Sequence, residues 1–320
     1  MRVAFLSLFA LPLLATDCGS KQDLIIGELQ LKDAAGTAGN SGGGVGAETT
    51  GGVTVAGTAG STGALGGSAD TGGTDAAGAA GMAGSPEEDC VMGSAPPPGS
   101  LIHRYSFDGT GATATDSISG ADGNIIGTAL DGSGVVTMDG KAREYVDLPN
   151  GIVSAAGITE ITVVTWMTWF NGAAYQRVFD FGSSTQGEGL GDAGRSYFAV
   201  MPKTGFDNQL KPGLGGEMKA PGFPTVTLAS TEDMTNRPAQ VAFSFKGGVS
   251  ASLYLNGKLL ASQPTTITPA NIDDRNNWIG QSQYSVNPPY QGSYNEFRIY
   301  NVALDGCQLQ TLLIRGEQSP

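Results

Sequence analysis

The stretch 240–262 reads QVAFSFKGGVSASLYLNGKLLAS, and it contains two turn signals that decide the fold class. Gly247–Gly248 joins one apolar run to the next, and Asn256–Gly257 separates the second run from a third. Asn-Gly between apolar runs is the strongest short-range signal for a β-hairpin. Leu253 and Leu255 alternate with side chains of the opposite face, which is the period of a strand packed on a core. The stretch therefore predicts successive antiparallel strands.

Runs of the same length continue on both sides of this stretch, from residue 101 onward, and no segment of useful length shows a helical period. The run EITVVTWMTWF at 160–170 is apolar on both faces, so we expect a central strand whose outer face is covered by loops. The sequence predicts an all-β, two-sheet antiparallel sandwich. The other runs that support it are LIHRYSF, EYVDLP, QRVFDFG, SYFAVMP, NNWIG and EFRIYNV.

The N-terminal third of the chain has a different composition. Residues 34–85 contain 18 glycines, with Ala, Thr and Ser, and no proline, aromatic, lysine or arginine. Such a segment buries too little apolar surface to offset its ordering entropy. We therefore expect a disordered Gly/Ala/Thr linker over 34–87, preceded by a short tether over 19–33 and followed by the folded domain over 88–320.

The chain begins with a signal-like segment over 1–18. Arg2 precedes the apolar run Val3–Leu14, which is the length of a secretory h-region, and Cys18 follows. This order resembles a bacterial lipoprotein signal with lipidation at Cys18, although Asp17 stands where a small residue is usual. The alternative is ordinary cleavage near Ala15 and secretion. In both cases we expect an exported protein, either lipid-anchored at the outer membrane or cell surface, or secreted.

The chain has three cysteines, and Cys90 and Cys307 remain when Cys18 is set aside. In an oxidising compartment two such cysteines favour a disulfide, which would tie the two ends of the domain together. The alternative is two unpaired thiols.

Three motifs carry a family resemblance: QRVFDFGSS, QVAFSFKGGVSASLYLNGKLLAS and NNWIGQSQYSVNPPYQGSYNEFRIYNVAL. In this order they resemble bacterial laminin-G-like, concanavalin A-like jelly-roll domains over roughly residues 100–310. The resemblance implies a jelly-roll sandwich in which the first and last strands are neighbours. EFRIYNV should therefore pair with LIHRYSF, which would also bring Cys90 close to Cys307.

Residue types and charge exclude several functions. The net charge of −13 argues against nucleic acid and anionic membrane surfaces, so we expect membrane contact only through the N-terminal lipid. His103 shares a strand face with Leu101 and Tyr105, which favours a packed, hydrogen-bonded residue over a catalytic base. No strand carries alternating carboxylates of the kind that glycoside hydrolysis needs. We therefore expect a protein that is not an enzyme.

The resemblance also implies a structural Ca²⁺, for which Asp108 and Asn295 are the candidate ligands. Calcium accepts oxygen ligands in flexible geometry. The alternative is that both residues only make turn hydrogen bonds. Glu188 and Asp192, among glycines at 185–194, are expected in a solvated loop.

Loop aromatics carry the functional hypothesis, because sandwich lectins stack sugar rings on such residues and add polar contacts. The alternative is that these side chains only fix loops onto the sheet. We expect a monomeric, surface-exposed, non-catalytic module for carbohydrate, either polysaccharide or glycoprotein. The other hypothesis is a structural, protein-interaction or adhesion domain of the cell envelope without a sugar site. The candidate ligand-binding residues are Tyr175, Arg177, Trp278, Gln281, Tyr284 and Tyr290.

Overall fold

A computed structural model of the protein describes residues 94–141, 143–189, 193–204 and 212–317. Within these residues the chain forms 17 β-strands and one α-helix, and 15 of the strands lie in two large sheets. This confirms the predicted all-β sandwich. The segments 1–18, 19–33 and 34–87 lie outside the described residues, so the predictions for them stay predictions.

The first sheet has seven strands, ordered β1-β17-β8-β13-β14-β15, with β6 also paired to β17. The strands run antiparallel, as a sandwich built from hairpins requires. Their bounds are β1 Leu101–Tyr105, β6 Val136–Asp139, β8 Glu160–Trp169, β13 Pro238–Lys246, β14 Ser250–Leu255, β15 Lys258–Pro264 and β17 Gln291–Tyr300.

The second sheet has eight antiparallel strands, ordered β12-β11-β10-β9-β16-β7-β4-β3. A small pair, β2 Thr110–Gly111 and β5 Leu130–Asp131, stands apart from it. The bounds of the eight strands are β3 Thr113–Ala114, β4 Gly123–Ile126, β7 Tyr145–Leu148, β9 Phe179–Ser184, β10 Gly194–Lys203, β11 Pro212–Lys219, β12 Val226–Ala229 and β16 Asn276–Ile279.

The first and last strands pair as predicted. In the β1–β17 ladder Arg104 lies opposite Arg298, and Tyr105 lies opposite Phe297. The N-terminal half of β17 pairs instead with β6. The last strand therefore closes the first sheet along segments that are far away in the chain.

Both hairpins of the stretch 240–262 are confirmed. Asn256 and Gly257 have φ of 51° and 77° between β14 and β15, and Gly248 has φ of 69° between β13 and β14. These left-handed values are the ones that Asn and Gly adopt at the lowest cost.

The core between the sheets is dominated by phenylalanine. Phe179 and Phe181 of β9 and Phe198 of β10 meet Phe243 and Phe297 of the first sheet, with neighbouring ring centroids 5.1–6.0 Å apart. Side chains alternate between the two faces of a strand. Because these phenylalanines point into the core, the residues between them on β9 and β10 point away from it. That outward row carries the candidate site.

The outer face of β8 is covered by a helix as well as by a loop, whereas the sequence predicted loops alone. Trp166 of β8 belongs to one buried apolar cluster with Leu309 and Leu312 of α1 (Gly306–Arg315) and with Leu304 of the loop before this helix. Asp305 and Gln308 form a capping box at the start of α1, with hydrogen bonds of 2.8 and 3.0 Å. The helix was missed because its ten residues show only two buried positions.

Candidate functional site

The outer face of the second sheet carries a continuous row of side chains across its strands. Each residue of this row lies opposite the next in the strand registers. Phe179, Phe181 and Phe198 occupy the alternate positions and point into the core. The row runs Asn124, Asp147, Trp278, Asp180, Ala199, Glu217 and Thr227.

A loop segment covers the middle of this row. The backbone N–H of Gln283 donates to Asp180 Oδ2 at 3.0 Å, and its side chain donates to the backbone carbonyl of Asn276 at 2.9 Å. Asn276 in turn donates to Gln283 Oε1 at 2.9 Å. Gln283 has no exposed surface. The segment is therefore fixed on β9 and β16, and it divides the outer face into two half-open parts.

The covered carboxylate is electrostatically costly. Burial raises the pKa of Asp180 to about 6, although Arg177 and the Gln283 N–H act in the opposite direction. Arg177 Nε lies 3.2 Å from Asp180 Oδ2, and both side chains are buried. One oxygen of Asp180 and one nitrogen of Arg177 lack a hydrogen-bond partner within the described residues.

Three of the six predicted ligand-binding residues lie in the interior, which corrects the sequence prediction. Arg177 is 2% exposed and forms an ion pair with Asp180. Tyr290 is fully buried, with its ring 4.9 Å from that of Tyr294. Trp278 is 4% exposed. The sequence placed these residues in or beside loops, but all three side chains are buried.

Trp278 fixes neighbouring strands. Its Nε1 donates to Asp147 Oδ1 at 3.0 Å, and its ring meets the edge of Tyr145 at 5.8 Å. Burial raises the pKa of Asp147, the Trp278 bond opposes this, and the charge of Glu188 adds to it. Glu188 is exposed and accepts from Asn150 Nδ2 at 3.4 Å, as a solvated loop residue can; Asp192 lies outside the described residues.

The two candidate tyrosines that reach the surface, the exposed Tyr175 and the half-buried Tyr284, do not converge. Tyr175 is 37% exposed, and its backbone N–H donates to the carbonyl of Lys203 at 3.0 Å. Tyr284 contacts Tyr197, six residues earlier on β10. At the rise of a strand these anchor points are about 20 Å apart. One small ligand cannot contact both side chains.

Tyr284 belongs to a polar aromatic patch, which we call the Tyr284 patch: Tyr284, Tyr197, Glu217 and Lys219. The Tyr197 hydroxyl donates to Glu217 Oε1 at 2.9 Å and lies 3.2 Å from the Tyr284 hydroxyl. Since the Tyr197 hydrogen is used on Glu217, Tyr284 donates to Tyr197. Burial, followed by the Glu217 charge, raises the Tyr197 pKa far above its ordinary value. Tyr284, Glu217 and Lys219 are half-buried.

Local sequence explains how the patch forms. Gly194 leaves room for the aromatic rings, because a Cβ there would lie 2.8 Å from atoms of both Tyr197 and Tyr284. Lys219 Nζ donates to the Gly194 carbonyl at 3.2 Å. Tyr197, Glu217 and Lys219 were missed from the sequence. Their signal was the alternation with core residues on β10 and β11. Gln281 is half-buried next to the covering segment.

The calcium hypothesis gains no support from clustered ligands. Within 94–317, apart from the undescribed gaps, no three His, Cys, Asp or Glu side chains are grouped so that they could hold a metal ion. Asp108 is exposed after β1, and Asn295 lies at an irregularity of β17 between its β1-paired and β6-paired halves.

Two further predictions concern the ends of the domain. Cys307, in the first turn of α1, is not a free thiol. Cys18 and Cys90 lie outside the described residues, so the Cys90–Cys307 pairing and lipidation at Cys18 stay predictions. In the described part of the chain, no helix combines the length and apolar character needed to span a membrane.

Three solved structures are similar to part of this chain. Domain 4 of AbnA, a GH43 extracellular arabinanase from Geobacillus stearothermophilus in complex with arabinotriose, is 22% identical (TM-score 0.47) and covers 66% of this chain and 96% of its own. The botulinum neurotoxin serotype D/C VPI 5993 binding domain is 13% identical (TM-score 0.49), and the match covers 68% of this chain and 52% of that chain. The Ruminococcus gnavus IT-sialidase CBM40 bound to α2,3 sialyllactose is 15% identical (TM-score 0.40; 55% and 94%).

A search of curated proteins found no match. A family model matches residues 139–310, which is more than half of the 320-residue chain. The chain belongs to the concanavalin A-like lectin/glucanase superfamily.

Proposed function

We propose that the domain is a non-catalytic module that binds carbohydrate at the Tyr284 patch. The observation that carries the proposal is the half-buried Tyr284 ring, held at its hydroxyl by a series of hydrogen bonds through Tyr197 to Glu217. The ring presents an apolar face, and the series of hydrogen bonds ends at the Glu217 carboxylate. This combination suits a sugar, which offers C–H groups on one face and hydroxyls around its edge.

The patch is preorganised, which lowers the entropic cost of binding. Tyr284 is fixed by the Tyr197 contact, and its backbone N–H donates to Ser282 Oγ at 3.1 Å. Asn287 Nδ2 donates to the same oxygen at 2.8 Å. Pro288 and Pro289 stiffen the rest of the loop. The platform therefore loses little freedom when a ligand binds.

The charge of the outer face favours neutral or amino sugars over acidic ones. Asp147 and Asp180 both have raised pKa values, and a neighbouring carboxylate, Glu188 or Glu217, contributes to each shift. Lys219 is already engaged with the Gly194 carbonyl. A uronate or sialate carboxylate would add a further negative charge next to Glu217.

A glycan array with neutral, amino and acidic oligosaccharides tests the proposal, with calcium and with EDTA. We expect neutral or amino-sugar binding with dissociation constants of about 10 µM to 1 mM, and no cleavage of the bound glycan. Binding restricted to acidic glycans would contradict the charge argument alone. A blank array at millimolar ligand would contradict carbohydrate binding and favour the protein-interaction or structural role in the envelope.

The proposed setting is the exterior of the cell, through export and lipidation at Cys18. Cys18→Ala should then release the protein from the membrane fraction. A wild-type protein found soluble in the medium and cut before Cys18 would contradict the anchor, while leaving the binding proposal intact.

A further inference from the structure

An apolar groove of about 530 Å³ lies beside the edge strand β1. Among its lining residues His103 is the one ionisable side chain, and the rest of the wall is apolar or uncharged. The apolar wall includes Leu101, Ile118, Pro149, Ile152 and Ile158. Ile118, at 48% exposure, forms part of an open rim.

The tautomer of His103 follows from its neighbours. Nδ1 lies 2.8 Å from Asp116 Oδ2 and 3.0 Å from Ser119 Oγ. Ser119 spends its own hydrogen on Asp116 Oδ2, at 2.5 Å. Because a carboxylate only accepts, Nδ1 must carry the hydrogen of the neutral ring. Nε2 is then the acceptor, on the opposite edge of the imidazole.

Asp116 is held in place independently of His103. Its side chain is buried and accepts backbone N–H groups of Arg104, Ile118 and Ala121 at 3.0, 3.0 and 3.2 Å. Burial acts to raise the Asp116 pKa, but the hydrogen bonds outweigh it and hold the pKa below its ordinary value. A fixed carboxylate therefore orients the imidazole, which is 12% exposed.

Nε2 accepts no hydrogen bond within the described residues, and it is not among their enclosed polar atoms without a partner. His103 Nε2 is thus an oriented acceptor in a groove whose other lining residues are uncharged and mostly apolar. We propose that it binds a small neutral ligand with an apolar body and one hydroxyl group, such as a phenol, which donates to His103 Nε2. A charged ligand would find no countercharge among the lining residues.

The sole histidine of the chain makes the test direct, because one imidazole spin system is observed by ¹H–¹⁵N correlation NMR. We would titrate the protein at pH 8 with 4-propylphenol and with propylbenzene, which differ by the hydroxyl group. We expect a saturable shift of the His103 ¹⁵Nε2 resonance with the phenol, and at least fivefold weaker binding of propylbenzene. Equal affinity for both, or no saturable shift, would overturn the proposal.

Two variants keep the test sharp. His103→Phe preserves an aromatic ring and should make the affinities for the two probes equal. Because this variant has no histidine, binding is measured from the ligand-induced shifts of methyl resonances in the groove. Ile118→Ala at the exposed rim leaves Asp116 and His103 intact and should weaken both probes at least threefold. Tyr284→Ala should change neither. Loss of phenol binding in Tyr284→Ala, or unchanged binding in Ile118→Ala, would place the ligand elsewhere.

Discussion

On the outer face of the first sheet, Leu309 and Leu312 of α1 join Trp166 in a buried apolar cluster, whereas the outer face of the second sheet keeps polar side chains partly open to solvent. The difference lies in what covers each face. The buried leucines of this helix exclude water, so the covered face contributes to stability. A hydrogen-bonded loop segment covers only the middle of the other face and leaves its flanks available for a ligand.

The charges under the two covers differ in the same way. On the helix-covered outer face of the first sheet, Glu296 accepts hydrogen bonds from both Arg104 and Arg298, at 2.5 and 2.7 Å. On the outer face of the second sheet, Asp180 is paired with one arginine, and burial raises its pKa to about 6. Two arginines compensate a buried carboxylate more fully than one. Glu296 on the helix-covered face therefore has two cationic partners and Asp180 has one, although both faces keep buried side-chain atoms without a hydrogen-bond partner within the described residues.

The largest effect is expected where the covering loop is fixed to the core. Tyr290→Ala removes a fully buried ring and should lower the free energy of unfolding by about 4 kcal/mol. Urea denaturation measures this, with the exposed Tyr175→Ala as a control within about 0.5 kcal/mol. Loss of glycan binding without loss of stability would return Tyr290 to the ligand-binding residues.

The second largest effect is expected in the apolar cluster beneath α1. Leu309→Ala removes a fully buried side chain from the apolar cluster that α1 shares with the outer face of the first sheet, and it should cost about 3 kcal/mol. Ile314→Ala, on the same helix and 59% exposed, is the matched control and should change little. Because α1 is remote from the Tyr284 patch, the folded Leu309→Ala variant should keep the wild-type glycan affinity. A changed affinity would show that the two faces are coupled.

The buried carboxylate of the open face predicts a pH dependence. The folded pKa of Asp180, about 6, exceeds the ordinary value of 3.8, so the folded state holds a proton that the unfolded state has lost between these pH values. Stability from this group is present below pH 4 and is lost as pH rises through 6, by at most about 3 kcal/mol. Asp180→Asn should flatten that slope in denaturant titrations at pH 4 to 7. An unchanged slope would assign it to other groups.

Sequence patterns predicted much of the fold for identifiable reasons. Gly and Asn at positive φ marked the hairpins, and period-two alternation marked strands such as β14. The helix α1 escaped because its capping box joins Asp305 and Gln308 but only two of its side chains are buried. That Glu296 would be shared by two arginines depends on the pairing of strands almost 200 residues apart.

The site was harder to predict than the fold. Tyr284 was identified, but Tyr290 and Trp278 share its local sequence context and are buried, because exposure depends on how the loop folds back on the sheet. Tyr197 and Glu217 reach Tyr284 only through the register of β10 and β11. Local sequence carries no information about that register, so the patch became visible only in three dimensions.

The smallest effect on stability, and the most direct test of carbohydrate binding at the Tyr284 patch, is expected from Tyr284→Ala. Calorimetric titration of wild type, Tyr284→Ala, Tyr284→Phe and Tyr175→Ala with one glycan identified on the array would measure it. Tyr284→Ala should abolish binding and leave the free energy of unfolding within about 1 kcal/mol, because the side chain is only half-buried. Tyr284→Phe, which keeps the ring, should weaken binding by about tenfold or less, and Tyr175→Ala should bind like wild type. Full affinity in Tyr284→Ala, or its loss in Tyr175→Ala alone, would contradict carbohydrate binding at the Tyr284 patch.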